Sequence, residues 1–298
     1  MTDARTLPWK VDHADVIRRL EALLDAPGVS ADYVRARVAI LKAQVEVLES
    51  LGAGLLTPAL GRPAPSAEGP AVRPEMLWFD RDLAAGLLAA VMDAGHRQGR
   101  GAEGLEQIAA AVARRPGLVE ELGLCVALEP DAMRLAGLSQ ETGAPGELLV
   151  FLGRLIAAPL VVDAARRLEE LPGAAAGCEG FCPICGSPPG LATLGGEDGH
   201  RVLCCGLCGW SWRFARLACP RCACADQAKL ERLSVDGEDA RWIEACRECH
   251  GYLKTIDRRR LSDPAGGVAL VEEVATLSLD LVAEREGYAG GAPYAAMV

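Results

Sequence analysis

Histidine is scarce in this chain of 298 residues, with four present, at positions 13, 96, 200 and 250. General-base chemistry at neutral pH therefore has few candidates. The chain also lacks a basic excess. Its formal charge is −10, and a surface built to bind phosphate needs the opposite sign. Long apolar runs are missing as well. The longest, Leu148–Val162, contains Arg154 and falls short of the roughly 20 residues of a membrane-spanning helix. Residues 1–15 mix Asp3, Arg5, Lys10, Asp12 and Asp15 without an apolar segment, so no targeting segment is expected. Gly99-Arg100-Gly101 has neither a phosphate-loop pattern nor a preceding strand, which argues against a nucleotide cradle.

Cysteine is what the chain has, and it is concentrated. Eleven of twelve cysteines fall between Cys178 and Cys249. Eight of them form four Cys-x-x-Cys pairs: Cys182/Cys185, Cys205/Cys208, Cys219/Cys222 and Cys246/Cys249. Two thiolates at this spacing in a tight turn can point at one cation, and four complete a tetrahedral shell. Pro183 and Pro220 sit where a backbone donor is dispensable, and Gly186 and Gly209 where φ can be positive. Taken in order, the pairs give C-x2-C-x19-C-x2-C and C-x2-C-x23-C-x2-C, the spacing of four-cysteine metal sites. Between the knuckles of each half lies a hairpin pattern: Leu191–Leu194 with His200–Cys204, and Lys229–Val235 with Arg241–Ala245. A further strand, Trp210–Leu217 or Tyr252–Ile256, follows each closing knuckle. The pattern reads as a duplicated rubredoxin-like or zinc-ribbon unit. Zinc and iron both accept such a shell. Cys178, Cys204 and Cys224 are left over, and Cys125 reads as a small core residue. Thiols kept for metal rather than for disulfides fit a reducing compartment.

The rest of the chain reads as mostly helical. Val16, Ile17, Leu20, Leu23 and Leu24 mark one helix over 12–24, and Val34, Val38, Leu41, Val45 and Leu48 the apolar face of a second. Thr57–Pro74 carries five prolines and reads as a passive linker. Helices are expected over Trp78–Ala94, Leu105–Arg114 and Pro116–Leu128, separated by the glycine-rich Gly95–Gly104. Glu147–Leu171 is dense enough in apolar residues to be the centre of a bundle, with Pro159 expected to kink or divide it. Lys254 and Arg258–Arg260 read as a solvated charged edge. Val268–Glu286 is expected to be one amphipathic helix burying Leu270, Val271, Val274, Leu277 and Leu281, and the tail from Gly290 to be loose. The expected architecture is α+β: an all-α helical domain over 1–172, tandem four-cysteine modules over 173–260, and a C-terminal helix and tail over 261–298.

Several stretches resemble the formate dehydrogenase accessory protein FdhE family. They are Phe181–Pro189, Gly199–Cys208, Trp212 and Arg216 leading into Cys219–Cys222, Ala245–Lys254, and Ala275–Asp280 followed by Glu286-Gly287-Tyr288. The resemblance is detailed over about 178–288 and looser in the helical half. It implies a cytoplasmic, non-enzymatic assembly factor with two rubredoxin-type sites, iron the favoured metal and zinc the alternative. The implied ligands are Cys182, Cys185, Cys205, Cys208, Cys219, Cys222, Cys246 and Cys249. The implied partner is the catalytic subunit of a respiratory formate dehydrogenase, a molybdenum or tungsten pterin enzyme, met before its folded export. Cys204 and Cys224 are extras to that pattern.

Two other readings are weaker. A zinc-ribbon binder of nucleic acid, or of another protein, would use the arginines at 213, 216, 221 and 258–260, but residues 173–260 hold 12 Lys/Arg against 11 Asp/Glu. That module is near neutral, and the acidity lies in the rest of the chain. An enzyme would need either a dithiol at a helix start in a βαβ unit or a metal with an open position. Cysteine pairs four at a time on hairpins offer neither.

Overall fold

The computed structural model describes residues 11–50, 70–73, 77, 81–98, 102–127, 132–169, 180–262, 268–290, 295 and 297. Its helices follow the apolar spacing of the sequence. Asp12 caps α1 (His13–Glu21) by accepting from the Ala14 N–H at 2.9 Å, and Val16 and Leu20 turn inward. α2 (Ala31–Ser50) buries Val34, Val38 and Leu41, with Val45 and Leu48 half-buried. α3 (Arg81–Gln98) runs through Gly95, and α4 (Ala102–Arg114) begins soon after, so the expected interruption is shorter than the glycines suggested. α5 (Leu118–Ala127) follows. α6 (Ala132–Thr142) was not foreseen; Leu138 is its one large apolar residue fully out of solvent among the described ones, too little for a periodic signal.

α7 (Gly146–Glu169) is the axis of the helical half. Its length and mean hydropathy of 2.0 would suit a membrane, but 83% of that stretch is buried inside the fold. A helix apolar all round is an interior helix, and α2, α3, α5 and α6 pack against it. Pro159 does not divide it. Proline lacks the N–H that would bond the carbonyl four residues back, here that of Leu155. Gln44 from α2 supplies the missing donor: its Nε2 lies 3.0 Å from the Leu155 carbonyl oxygen.

The cysteine-rich half forms one six-stranded sheet, not two separate hairpin units. The strands are β1 (Pro189–Gly195), β2 (His200–Cys205), β3 (Ser211–Phe214), β4 (Leu230–Leu233), β5 (Arg241–Cys246) and β6 (Gly251–Asp257). Their order is β3-β2-β1-β6-β5-β4. Each half is an antiparallel meander, and the halves fuse where β1 and β6 pair in parallel, Ala192 opposite Thr255 and Leu194 opposite Asp257. Both central strands are almost wholly buried.

The C-terminal helix is two helices, α8 (Ala269–Ala275) and α9 (Leu277–Arg285). Thr276 separates them at φ −112°, its hydroxyl donating back to the Glu272 carbonyl at 2.6 Å. The break shifts the buried set. Leu270, Val274, Leu279 and Ala283 are buried, Val271 and Leu277 are half-buried, and Leu281 is 55% exposed. Lys254 is not on a solvated edge. It is 3% exposed, its ammonium pairing with Glu273 and, at 2.7 Å, with Asp280. Burial opposes its charge, but the two carboxylates outweigh that and raise its pKa. Arg241 adds a two-pronged bond to Glu272 at 2.7 and 3.2 Å. These pairs fasten α8 and α9 to β5 and β6. The described part of the tail is not loose either: Ala295 and Met297 are fully buried.

Candidate metal centres

Each Cys-x-x-Cys pair sits in the same turn. In the first, the Gly186 N–H donates to the Cys182 carbonyl at 2.8 Å and the Cys182 N–H to the Ser187 carbonyl at 2.9 Å. The third repeats it, with Ala223 N–H to Cys219 O at 2.9 Å and Cys219 N–H to Cys224 O at 2.8 Å. The second matches through Gly209 N–H to Cys205 O and Cys205 N–H to Trp210 O. In all four pairs the fourth residue after the leading cysteine has positive φ: Gly186 at 72°, Gly209 at 68°, Ala223 at 58° and His250 at 52°. The turn aims backbone N–H groups at sulfur, as from Leu207 and Cys208 to the Cys205 Sγ at 3.3 and 3.4 Å. Such donors favour a thiolate.

The structure gathers the eight predicted cysteines into two groups, in the sequential pairing. Cys182, Cys185, Cys205 and Cys208 form one, and Cys219, Cys222, Cys246 and Cys249 the other, with all Sγ atoms of a group within 4.8 Å of one another. Close Sγ separations are 3.5–3.6 Å in the first group and 3.7 Å in the second. A metal–sulfur bond of about 2.3 Å gives a tetrahedral edge of about 3.8 Å. The donor set is wholly soft sulfur, which suits zinc or iron. The residues therefore fit a tetrahedral ion in each group. Cys204 faces the opposite side of β2, its Sγ 3.5 Å from the Ser211 hydroxyl, and Cys224 lies outside the second group. Cys178 and the Cys125 side chain lie outside the described residues.

Electrostatics press the same way. Burial pushes the Cys182 and Cys208 thiols well above their ordinary range, and Cys219 up to about 12. For Cys185 burial acts in that direction too, but hydrogen bonds from Cys182, Cys205 and Cys208 outweigh it and draw its pKa down. Four sulfurs this close share protons unless a cation replaces them.

Four features of the surroundings escaped the sequence reading. Arg154 of α7 is 2% exposed and lies beside the first group; burial lowers its pKa, and Cys205, Cys185 and Cys208 counter that only in part. The end of the proline-rich stretch is not a passive loop: the Ala71 and Val72 N–H groups donate to Pro183 and Ile184 of the first knuckle at 3.1 and 2.7 Å. From the far end of the chain, the Ala295 N–H donates to the Gly206 carbonyl at 2.8 Å. Residues 57–69 and 74 of the linker lie outside the described residues. The fourth feature is a groove of about 210 Å³ beside the second group, bordered by Cys219, Pro220, Cys246, Trp242 and Leu217. Several arginines that a phosphate binder would need are committed internally: Arg216 and Arg201 to Glu244, Arg259 and Arg260 to Asp257, Arg221 to the Ala289 carbonyl.

Comparison with known proteins places this geometry. Residues 181–216 match the family model "FdhE, central domain", and residues 217–297 match "FdhE, C-terminal domain". A protein FdhE homolog of Edwardsiella ictaluri is 33% identical over 180 residues, covering 58% of this chain and 56% of that protein. One from Stutzerimonas stutzeri is 38% identical over 117 residues, 38% of this chain and 37% of its own length. Protein FdhE of Escherichia coli is 37% identical over 112 residues, 37% of this chain and 35% of its own. The matches thus span from about a third to just over half of these curated relatives. The crystal structure of the FdhE protein from Pseudomonas aeruginosa superposes with a TM-score of 0.65, at 23% identity, over 99% of this chain and 96% of that one. The α+β fold is therefore shared along nearly the whole length.

Proposed function

We propose that this chain, whose residues 181–297 match the FdhE central-domain and C-terminal-domain models, is a metal-binding accessory protein for the maturation of a respiratory formate dehydrogenase. In this reading it meets the catalytic subunit in the cytoplasm, before export, and catalyses no reaction itself. Cys182, Cys185, Cys205 and Cys208 hold one metal ion, and Cys219, Cys222, Cys246 and Cys249 a second, with iron favoured over zinc. The parts are a helical body over 1–172, the metal-bearing modules over 173–260 and a closing segment over 261–298.

The observation that carries this reading is the pair of complete four-cysteine groups. Four thiolates fill a tetrahedral ion and leave no position for water or substrate. When bound, such an ion supplies folding free energy, because the site does not exist in the unfolded chain. The chain's own residues do the rest: they fix a rigid sheet whose surface a partner can recognise.

Protein purified without oxygen is expected to carry about two metal ions, one for each group, with thiolate-to-iron colour on oxidation if iron is bound. Replacing Cys182 and Cys185 by serine should remove one equivalent and leave the other. Loss of neither would sink the ligand assignment. For the partner, the purified chain should co-elute with a formate dehydrogenase catalytic subunit in gel filtration. Failure to co-elute with that subunit, with or without its pterin cofactor, would remove the accessory reading.

A further inference from the structure

The two cysteine groups are alike in sequence spacing and unlike in surroundings. All four cysteines of the first are at most 1% exposed. The residues inside its knuckles are apolar and sealed: Ile184 and Leu207 have no exposure at all. Three distant parts of the chain close over it, namely Ala71 and Val72 on one knuckle, Ala295 on the other, and Arg154 of α7, whose Nη1 lies 3.4 Å from the Ser187 hydroxyl oxygen. In the second group Cys222 is exposed and Cys249 half-exposed. Its knuckles contain Arg221, Arg247 and Glu248, all facing solvent. Along Cys219 and Cys246 runs the open groove. The turns differ as well, since the first group closes both on glycine and the second on Ala223 and His250 at positive φ, a conformation that side chains resist.

Metal leaves a tetrathiolate site by stepwise substitution, so a competing ligand must reach the shell. Burial closes that route at the first group. A buried cation beside it also offsets the net negative charge of four thiolates on a divalent ion, and supporting groups of this kind change metal affinity by about 10–100-fold. Access and weaker support act together at the second group.

We propose that the first group is a permanent structural site and the second an exchangeable one, whose ligand class is a soft thiol donor presented by a small molecule or by a cysteine-bearing partner. In the exchange step an incoming thiolate forms a bond to the ion as the bond to the Cys222 sulfur breaks. That sulfur takes the proton which the incoming thiol gave up, and no electron changes hands. The inference rests on the reading that both groups bind metal, and it adds a division of labour between them.

The test uses the full chain loaded with zinc and freed of excess metal. Challenge with an excess of a colorimetric chelator should release one equivalent at least about tenfold faster than the other. Cys222→Ser should abolish the fast equivalent and keep the slow one. Should that variant misfold, timed alkylation of the wild-type zinc protein carries the test by mass spectrometry: Cys222 and Cys249 should be modified well before Cys182 and Cys185. Arg154→Met should speed the slow equivalent while leaving the fast rate unchanged. Release of both equivalents in one phase, or early alkylation of the first group, overturns the proposal. A chain that takes up no zinc overturns the underlying metal reading instead, a failure seen at loading and before any release is measured.

Discussion

Ala223 holds a position that belongs to glycine. It is the counterpart of Gly186, four residues after the leading cysteine, with the same N–H to carbonyl bond and φ of 58°. A left-handed backbone costs a non-glycine residue about 1–2 kcal/mol, and the Ala223 side chain is exposed, so its methyl group gains little in return. Ala223→Gly relieves the strain but gives the unfolded chain more freedom, an opposing effect of about 0.4–1 kcal/mol. The expected net effect is a gain of about 0.5–1 kcal/mol, read as a higher urea midpoint of the metal-loaded protein. Gly186→Ala should do the reverse, because φ there is 72° and the new Cβ would lie 3.2 Å from the Pro70 Cγ. A destabilised Ala223→Gly variant would mean that the methyl group makes a contact worth more than the strain. The positions of the cysteines themselves were legible because a knuckle is local: four residues and one following turn carry the whole signal. The same locality made Gly186 and Gly209 readable. Ala223 and His250 were not, since nothing in an alanine or a histidine announces positive φ until its neighbour in the duplicated unit is superposed.

At the scale of elements, α7 shows how a local rule fails for a physical reason. Pro159 reads as a kink or a division, and the division does not occur. The break is prevented by Gln44, 1% exposed and reaching across from α2 to the Leu155 carbonyl. Removing that donor leaves a buried acceptor without a partner, which costs about 1–3 kcal/mol. Gln44→Leu should lower the urea stability by that amount. Pro159→Ala restores an N–H to the helix, so the double variant Gln44→Leu with Pro159→Ala should recover at least half of the loss. Additive effects of the two changes would refute the compensation, because residues that share one acceptor must couple. A similar long-range fact hid Lys254. In sequence it stands in a basic run, and only the return of α8 and α9 brings Glu273 and Asp280 to it. The split of the C-terminal helix was equally invisible, since Thr276 interrupts an apolar pattern that either one helix or two could carry.

For the whole molecule the main finding is that the two modules are not separable beads. β1 and β6 join them in one sheet, and the first group is tied to the helical half through Arg154 and Val72 and to the C-terminal tail through Ala295. The tandem units were readable from spacing, but their fusion was not: a parallel pairing between strands some sixty residues apart leaves no pattern in either strand. The arrangement makes the two sites unequal in what they support. The first should be coupled to α7, whose Arg154 would face a less anionic group of sulfurs without a bound metal, since burial pushes the Cys182 and Cys208 thiols up. A buried charge that loses its compensation is strongly destabilising, and the loss is expected to reach the helix through the packing of Leu152, Leu155 and Ile156 around it. Among the described residues the second group makes no hydrogen bond to a helix of the bundle; its strands pack on α9. Hydrogen exchange separates these cases, because local opening appears as faster exchange in the affected segment. Cys182→Ser with Cys185→Ser should speed exchange in α7 by about tenfold or more and expose the amides of Ala71 and Val72. Cys219→Ser with Cys222→Ser should speed exchange in β4 and β5 and leave α7 as protected as in the parent. Equal protection of α7 in both variants would show that the helical body folds without reference to the first site, and Arg154 would then need another source of compensation within the fold.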